Sequence, residues 1–206
     1  MRLNYDDIKH RVQPPLDCST IGDLRGTYFY NRLITNYEHT DFSGCTLYHC
    51  YPRVFANALE INPAQSKADV SLKGADLQGA DLFRAYLIGA DIEGANFERA
   101  NLGGATLKRA NLGGANLQGA DISNTNLEGA NLENANLGVC DIQHVKFINA
   151  NLVNADFRGA RFFDVDFSGA DIKGVKLSPK NLTEFLKYIL KSEGVQNMDK
   201  IEVVEK

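Results

Sequence analysis

Ala75-Asp76-Leu77-Gln78-Gly79-Ala80-Asp81-Leu82-Phe83-Arg84-Ala85-Tyr86-Leu87-Ile88-Gly89-Ala90-Asp91-Ile92-Glu93-Gly94 sets the register of the whole chain. A large apolar residue returns at every fifth position, and a small one stands two places before it. The beat runs from Leu72 to Leu182 and uses only Leu, Ile and Phe. The small column is alanine except at Thr125, Cys140 and a few valines. A helix repeats its apolar face at three and four residues and a half-buried strand at two, so a sustained five fits neither. It fits short extended segments joined by sharp corners, with the large and small residues pointing inward and the other three outward. A fixed internal period of this kind is the signature of a solenoid, which offers surface rather than an enclosed active site.

The outward places are regular too. Asp or Asn precedes each large residue, a variable residue follows it, and Gly or Asn comes next, as at Gly79, Gly89, Gly104, Asn124, Asn134 and Asn154. Gly and Asn tolerate the positive φ that the third residue of a type II turn requires. Asp76, Asp81, Asp91, Asp121, Asp141, Asp156, Asp166 and Asp171 read as a solvated set supporting those turns.

The motif Ala-(Asp/Asn)-Leu-x-Gly, as in Ala75-Asp76-Leu77-Gln78-Gly79 and Ala115-Asn116-Leu117-Gln118-Gly119, strongly resembles the pentapeptide-repeat family, in one unbroken register. The fold this resemblance implies is an all-β solenoid, a right-handed quadrilateral parallel β-helix with four repeats to a coil. Leu72 then stacks under Ile92, Leu112, Leu132, Leu152 and Ile172, and Phe147 under Phe167, with coils rising by about 4.8 Å. A parallel ladder needs every backbone N–H, and no proline falls between Pro63 and Pro179.

The period also sets the boundaries. Residues 68–178 form the main array, and 35–50 hold earlier repeats with Tyr37, Phe42 and Leu47 at large positions. Between them the beat would bury Pro52, Asn57, Asn62 and Lys67, so 51–67 reads as an inserted loop or short helix. The insertion is expected to pack on Phe83, Tyr86 and Ile88; the alternative is an exposed apolar docking patch. Residues 1–34 read as an N-terminal cap and 179–206 as a C-terminal capping α-helix and tail. Ser178-Pro179 is a helix start, and Leu182, Phe185, Leu186, Ile189 and Leu190 recur at helical spacing before Gly194. These five cover the last coil or join a homodimer, which the resemblance makes plausible. Ile201-Glu202-Val203-Val204 is either a strand at that junction or a frayed end.

Composition narrows the chemistry. A formal charge of −4 over 206 residues implies no bulk attraction to nucleic acid or anionic membrane. With no spanning stretch and no secretory leader, the expected location is cytoplasmic. Of four cysteines, Cys140 reads as a slightly larger alanine. Cys45 and Cys50 with His39 and His49 suggest a metal site, but no recognised ligand spacing is present and the period accounts for both cysteines. The four histidines lack a Ser or Cys partner in a motif, and Gly103-Gly104 and Gly113-Gly114 sit in register as turns rather than as a phosphate cradle. No catalytic residue, cofactor or metal ligand is expected.

The preferred reading is a non-catalytic protein-interaction module, a rigid scaffold or adaptor. Its candidate contacts are Arg53, Phe55, Phe83, Arg84, Tyr86 and Phe163. The resemblance implies an alternative, a DNA-mimicking modulator of a type II topoisomerase that protects or inhibits gyrase. Sorting outward charges by face weakens it. The first face sets Asp91, Glu93, Glu133 and Asp171 against Lys73 and Lys173. The third sets Asp81, Asp121, Asp141 and Asp164 against Arg84 and Arg161, and the fourth is slightly basic. A DNA mimic needs carboxylates dense enough to rival the phosphate spacing. A metal-dependent enzyme is the remote alternative.

Overall fold

The computed structural model describes residues 72–85 and 87–204, together with the backbone of four short upstream strands. Arg53, Phe55, Tyr86 and the 51–67 insertion lie outside the described residues. Upstream, β1 (Leu16–Asp17) pairs in parallel with β3 (Ile34–Thr35), and β2 (Tyr28–Tyr30) with β4 (Thr46–Tyr48). The segment read as an N-terminal cap therefore already contributes strands that pair with the first repeats. Tyr28 lies opposite Thr46, an offset of eighteen residues.

In the main array the offset is twenty. Asp76 bridges Asn96, Asn96 bridges Asn116, and the series continues through Asn136 and Asp156 to Lys176, all in parallel. A five-residue beat with a twenty-residue offset gives four segments to each coil, and the array is a β-solenoid. Its backbone hydrogen bonds recur from repeat to repeat. The Leu72 N–H donates to the Asp91 carbonyl at 2.7 Å and the Gly74 N–H to Glu93 at 2.8 Å. The Asn96 N–H reaches back to Ala75 at 2.9 Å, while the Ala75 N–H closes the corner on Leu72 at 2.9 Å. Such bookkeeping is what allows a polar backbone to encircle an apolar core.

The core is the two inward columns, and most of their members are completely buried. Phe147 stacks on Phe167 with ring centroids 5.2 Å apart and planes within 13°. The two polar intruders satisfy themselves: the Thr125 hydroxyl donates to the Leu102 carbonyl at 3.0 Å, and the Cys140 thiol to Leu117 at 2.9 Å. Burial pushes the Cys140 thiol up to about 12, so it is an inert filler. The longest extended pieces of the array are β5 (Asp141–Gln143) and β6 (Arg161–Phe163), which pair with each other; β7 (Lys176–Leu177) follows.

Ser178 and Pro179 then start helix α1 (Pro179–Ile189). The Asn181 side chain ties its first turn to the solenoid. Its Oδ1 accepts the Ser178 N–H and hydroxyl, both at 2.9 Å, and its amide donates to the Phe157 and Ala160 carbonyls at 2.6 and 3.3 Å. Phe185 is buried with its ring centroid 5.1, 5.4 and 6.0 Å from those of Phe167, Phe162 and Phe157. Leu182, counted with the five-residue beat, is a half-buried helix residue, so the beat's last extended segment ends at Leu177. Ile189 is buried and Leu186 half-buried, but Leu190 is 75% exposed; Tyr188, which the apolar pattern passes over, is buried instead.

The helix stops at Ile189, short of Gly194, because the chain beyond it resumes the solenoid's work. The N–H groups of Gly169, Ile172 and Gly174 donate to the carbonyls of Glu193, Gln196 and Lys200. Gly194 and Asn197 adopt φ of 66° and 57°, as corner residues do. The tail ends in β8 (Glu202–Val203), parallel to β7. It lays a partial coil over the last repeats.

Candidate functional site

Two faces of the array are built to a rule. On the first, the Asn111 amide donates to Asp91 at 3.2 Å, Asn131 to Asn111 at 2.9 Å and Asn151 to Asn131 at 2.9 Å. On the second, Asn96, Asn116 and Asn136 climb from Asp76 with steps of 3.0, 3.1 and 3.0 Å. Each Oδ1 also accepts the N–H two residues on, as Asn131 does from Glu133 at 3.2 Å. The column read as solvated and turn-supporting does support the turns, but on these faces it is also a half-buried ladder joining coil to coil. Asparagine recurring at twenty-residue offsets was the available signal.

The third face, carried by residues 81–84, 101–104, 121–124, 141–144 and 161–164, breaks this rule in several ways. The ladder starts, with Asn101 donating to Asp81 at 3.0 Å, and then stops. Asp121 bridges Asp141, the one carboxylate-on-carboxylate rung among the described residues. Like charges directly opposite each other destabilise a sheet. Asp141 is partly compensated: the Gln143 amide donates to both its oxygens at 2.9 Å and Arg161 Nη2 to its Oδ2 at 2.9 Å. Asp121 receives only the Ser123 N–H and hydroxyl, both on Oδ1. Asp121 is exposed, and no protein donor reaches its Oδ2.

At the corner leading into this face stands Val139, with φ of 60° and 62% exposed. Gly79, Arg99, Gly119 and Gly159 hold the same place in other coils, and none of them is β-branched. A β-branched side chain in the left-handed region costs about 1–2 kcal/mol, and here no burial offsets it. At the opposite corner Phe163 is 56% exposed. The His144 ring meets it edge-on at 5.3 Å, and His144 Nδ1 lies 2.8 Å from Asp164 Oδ2. His144 and Asp164 also hold positive φ, 54° and 50°.

That second corner is open. In its inward column the turn bond to the preceding large residue is 2.9 Å at Ala85 and Ala105 and 3.2 Å at Thr125. Neither Val145 nor Val165 makes it. Both coils carry valine in the inward column, and the chain before each is extended as β5 and β6. Val175, in a different column, keeps its bond at 3.2 Å, so valine alone does not open a corner.

Of the residues singled out from sequence, Phe83 and Arg84 form a pair at the other end of this face. The Arg84 guanidinium carbon lies 5.1 Å from the Phe83 ring centroid. The pair rests on the glycines one coil on. A Cβ at Gly103 would stand 3.3 Å from the Phe83 ring and one at Gly104 3.2 Å from Arg84 Cγ. Gly103-Gly104 is thus a seat as well as a turn. Phe163 shares the Phe83 column but lies four coils on, about 19 Å by strand spacing, so the structure does not bring them together. Phe163 meets His144, and the same face or its edge carries Val139 and Asp141; pattern reading did not single these three out. For Val139 and His144 the signal was a residue other than Gly or Asn at the corner place, which Arg84, Arg99 and Arg109 also show. Within the array, the exposed large hydrophobics among the described residues are Phe83, Val139 and Phe163, all on the third face or its edge.

Ion pairs also cross coils on other faces, as between Lys73 and Glu93 at 3.1 Å. On the fourth face Lys108 lies 2.6 Å from Glu128 and, by hydrogen bond and charge, holds that carboxyl below its ordinary range. No group of three or more His, Cys, Asp or Glu side chains is placed to hold a metal ion among the described residues. His39, Cys45, His49 and Cys50 lie outside them.

A family model for pentapeptide repeats matches residues 68–104, 100–138 and 140–178, with 8 copies. The chain belongs to the pentapeptide-repeat family. Among solved structures it is similar to a trypsin-treated variant of QnrB1, a plasmid-mediated fluoroquinolone resistance protein, at 15% identity over 93% of this chain and 84% of that one, with a TM-score of 0.42. A pentapeptide repeat protein from the Arabidopsis thaliana thylakoid lumen is 30% identical over 63% of this chain and 81% of that one, with a TM-score of 0.25. HetL of the cyanobacterium Nostoc sp. strain PCC 7120, involved in heterocyst differentiation regulation, is 24% identical over 76% and 80%, with a TM-score of 0.28. No curated protein matches the chain.

Proposed function

We propose that the protein is a non-catalytic interaction module of the cytoplasm: a rigid right-handed square β-helix, closed at its C-terminal end by α1, that receives a protein partner on its third face. One observation carries this reading. The patch from Val139 to Phe163 combines a β-branched left-handed residue, a like-charge rung, an exposed aromatic ring and two opened corners. The β-branched left-handed residue, the like-charge rung and the exposed ring depart from what the neighbouring faces show, and none of these three adds to the core. Sequences break local rules chiefly where function demands it.

The test is site-specific photocrosslinking in the source cells, with the crosslinker replacing Gln143 on the third face or Gln118 on the second. A protein adduct forming from position 143, absent from 118 and lost with Phe163→Ser, is the expected outcome. Equal capture from both faces, or from neither, overturns the proposal.

Charge argues against topoisomerase mimicry. The third face carries four carboxylates against two arginines over five coils, far from one charge per about 1.7 Å of DNA axis. The protein is expected to leave gyrase supercoiling unchanged with or without a fluoroquinolone; protection or inhibition would put the topoisomerase reading first. A homodimer through the C-terminal end, where Leu190, Met198 and Val203 are exposed, is compatible with this module. Sedimentation of Leu190→Ser against the native protein tests it.

A further inference from the structure

We infer that the segment received by the third face is an extended, cationic one, with a Lys or Arg set between apolar side chains. The inference rests on the reading of this face as a docking surface and adds the chemistry of what docks. Asp121 and Asp141 stack as a like-charge rung, and no protein donor reaches the Oδ2 of the exposed Asp121. Across the whole face, Asp81, Asp121, Asp141 and Asp164 stand against Arg84 and Arg161, leaving two negative charges in excess. Arg161 is already engaged with Asp141, and Arg84 lies over Phe83 at the far end. A cation arriving at Asp121 forms a charge-assisted bond to that exposed carboxylate and relieves the repulsion across the rung. An acidic segment would add to that repulsion.

The apolar part of the partner follows from Val139 and Phe163, which bound the patch at its two corners and are more than half exposed. In an extended chain, alternate side chains share one side, and three of them span about 13 Å. An apolar–basic–apolar triplet on that side therefore sets its central charge on the carboxylates and its flanks on the two apolar corners. Replacing Gly with Val at the corner, or Asn with Asp in the rung, lowers the stability of the free protein in return for this complementarity.

The probe is a fluorescein-labelled peptide, Ser-Leu-Ser-Lys-Ser-Leu-Ser, compared with versions carrying Glu for Lys or Ser for both Leu. Binding to the full chain is read by anisotropy and by amide chemical shifts. The Lys–Leu peptide is expected to bind at least about tenfold tighter than either control, with shifts centred on residues 121–123, 139–144 and 161–164. Asp121→Asn and Phe163→Ser should each weaken it about tenfold, while Glu128→Gln on the fourth face leaves it unchanged. Because Asp121→Asn removes the like-charge rung, it should melt no lower than the native protein, which separates lost binding from lost folding. Equal binding of the Glu peptide, or binding unaffected by Asp121→Asn, overturns the inference. Capture of a partner from position 143 without binding of the Lys–Leu peptide overturns the chemistry and leaves the docking face standing. Failure of both removes the two together.

Discussion

Val139 occupies a corner that Gly79, Arg99, Gly119 and Gly159 hold in the same column, and its side chain reaches solvent rather than core. Its Cγ2 stands 3.5 Å from where a Cβ on Gly159 would be, so the glycine one coil on leaves it room. Val139→Gly should therefore stabilise the protein by about 1 kcal/mol, a rise in melting temperature of about 2–4 °C, while weakening partner capture. A fall in melting temperature would show that Val139 packs usefully. Asp156 offers a second residue-scale test. Partial burial pushes its carboxyl up, but the Arg158 guanidinium and backbone N–H, with Lys176 nearby, outweigh this and hold it below its ordinary value of 3.8. A depressed carboxylate contributes stability above its unfolded pKa and loses that contribution as the pH falls through its folded one. Arg158→Ala should lower the melting temperature near neutral pH, with the gap to the native protein closing as the pH drops below 3.8. A gap independent of pH would mean that the pair contributes nothing through charge.

At the scale of the element, the same outward column serves two ends. On the first face Asn131 donates to Asn111 and accepts from Asn151 and the Glu133 N–H. Asn131→Ala removes all three bonds from a half-buried rung and should destabilise by about 1–3 kcal/mol in chemical denaturation. Asp121→Asn, on the opposite face, should go the other way, since its new amide faces the Asn101 side-chain oxygen in the ladder position. Opposite signs at equivalent places would establish that the third face departs from the ladder at the expense of stability; like signs would refute it. These ladders were half legible in the sequence. Asp and Asn before each large residue were plain, but their hydrogen bonds join residues twenty apart, and a five-residue pattern does not show which neighbour a side chain meets. Helix α1 was legible at its start, because Ser178-Pro179 is a local signal. Its end was not, because the tail beyond Ile189 is held by bonds to Gly169, Ile172 and Gly174.

For the whole molecule, continuity of the inward columns is the condition for folding. Leu132 is completely buried in the middle of the array. Leu132→Asp puts a carboxylate where no donor and no water can reach it, and this should abolish the cooperative transition seen by calorimetry. A soluble variant with native melting would mean that the register is wrong. The period by itself determined that register, the solenoid class and the identity of nearly every core residue, because a five-residue beat admits one inward pair per repeat. It did not determine which outward residues act together. Phe83 and Phe163 look equivalent in sequence, yet one is seated with Arg84 on a glycine pair and the other stands open beside His144. Val139, Asp121 and Asp141 acquire their meaning only when coils stack, since strain, repulsion and exposure depend on what lies one coil above and below. Local sequence fixes which way a side chain points; stacking, a contact between residues distant in the chain, decides what it meets.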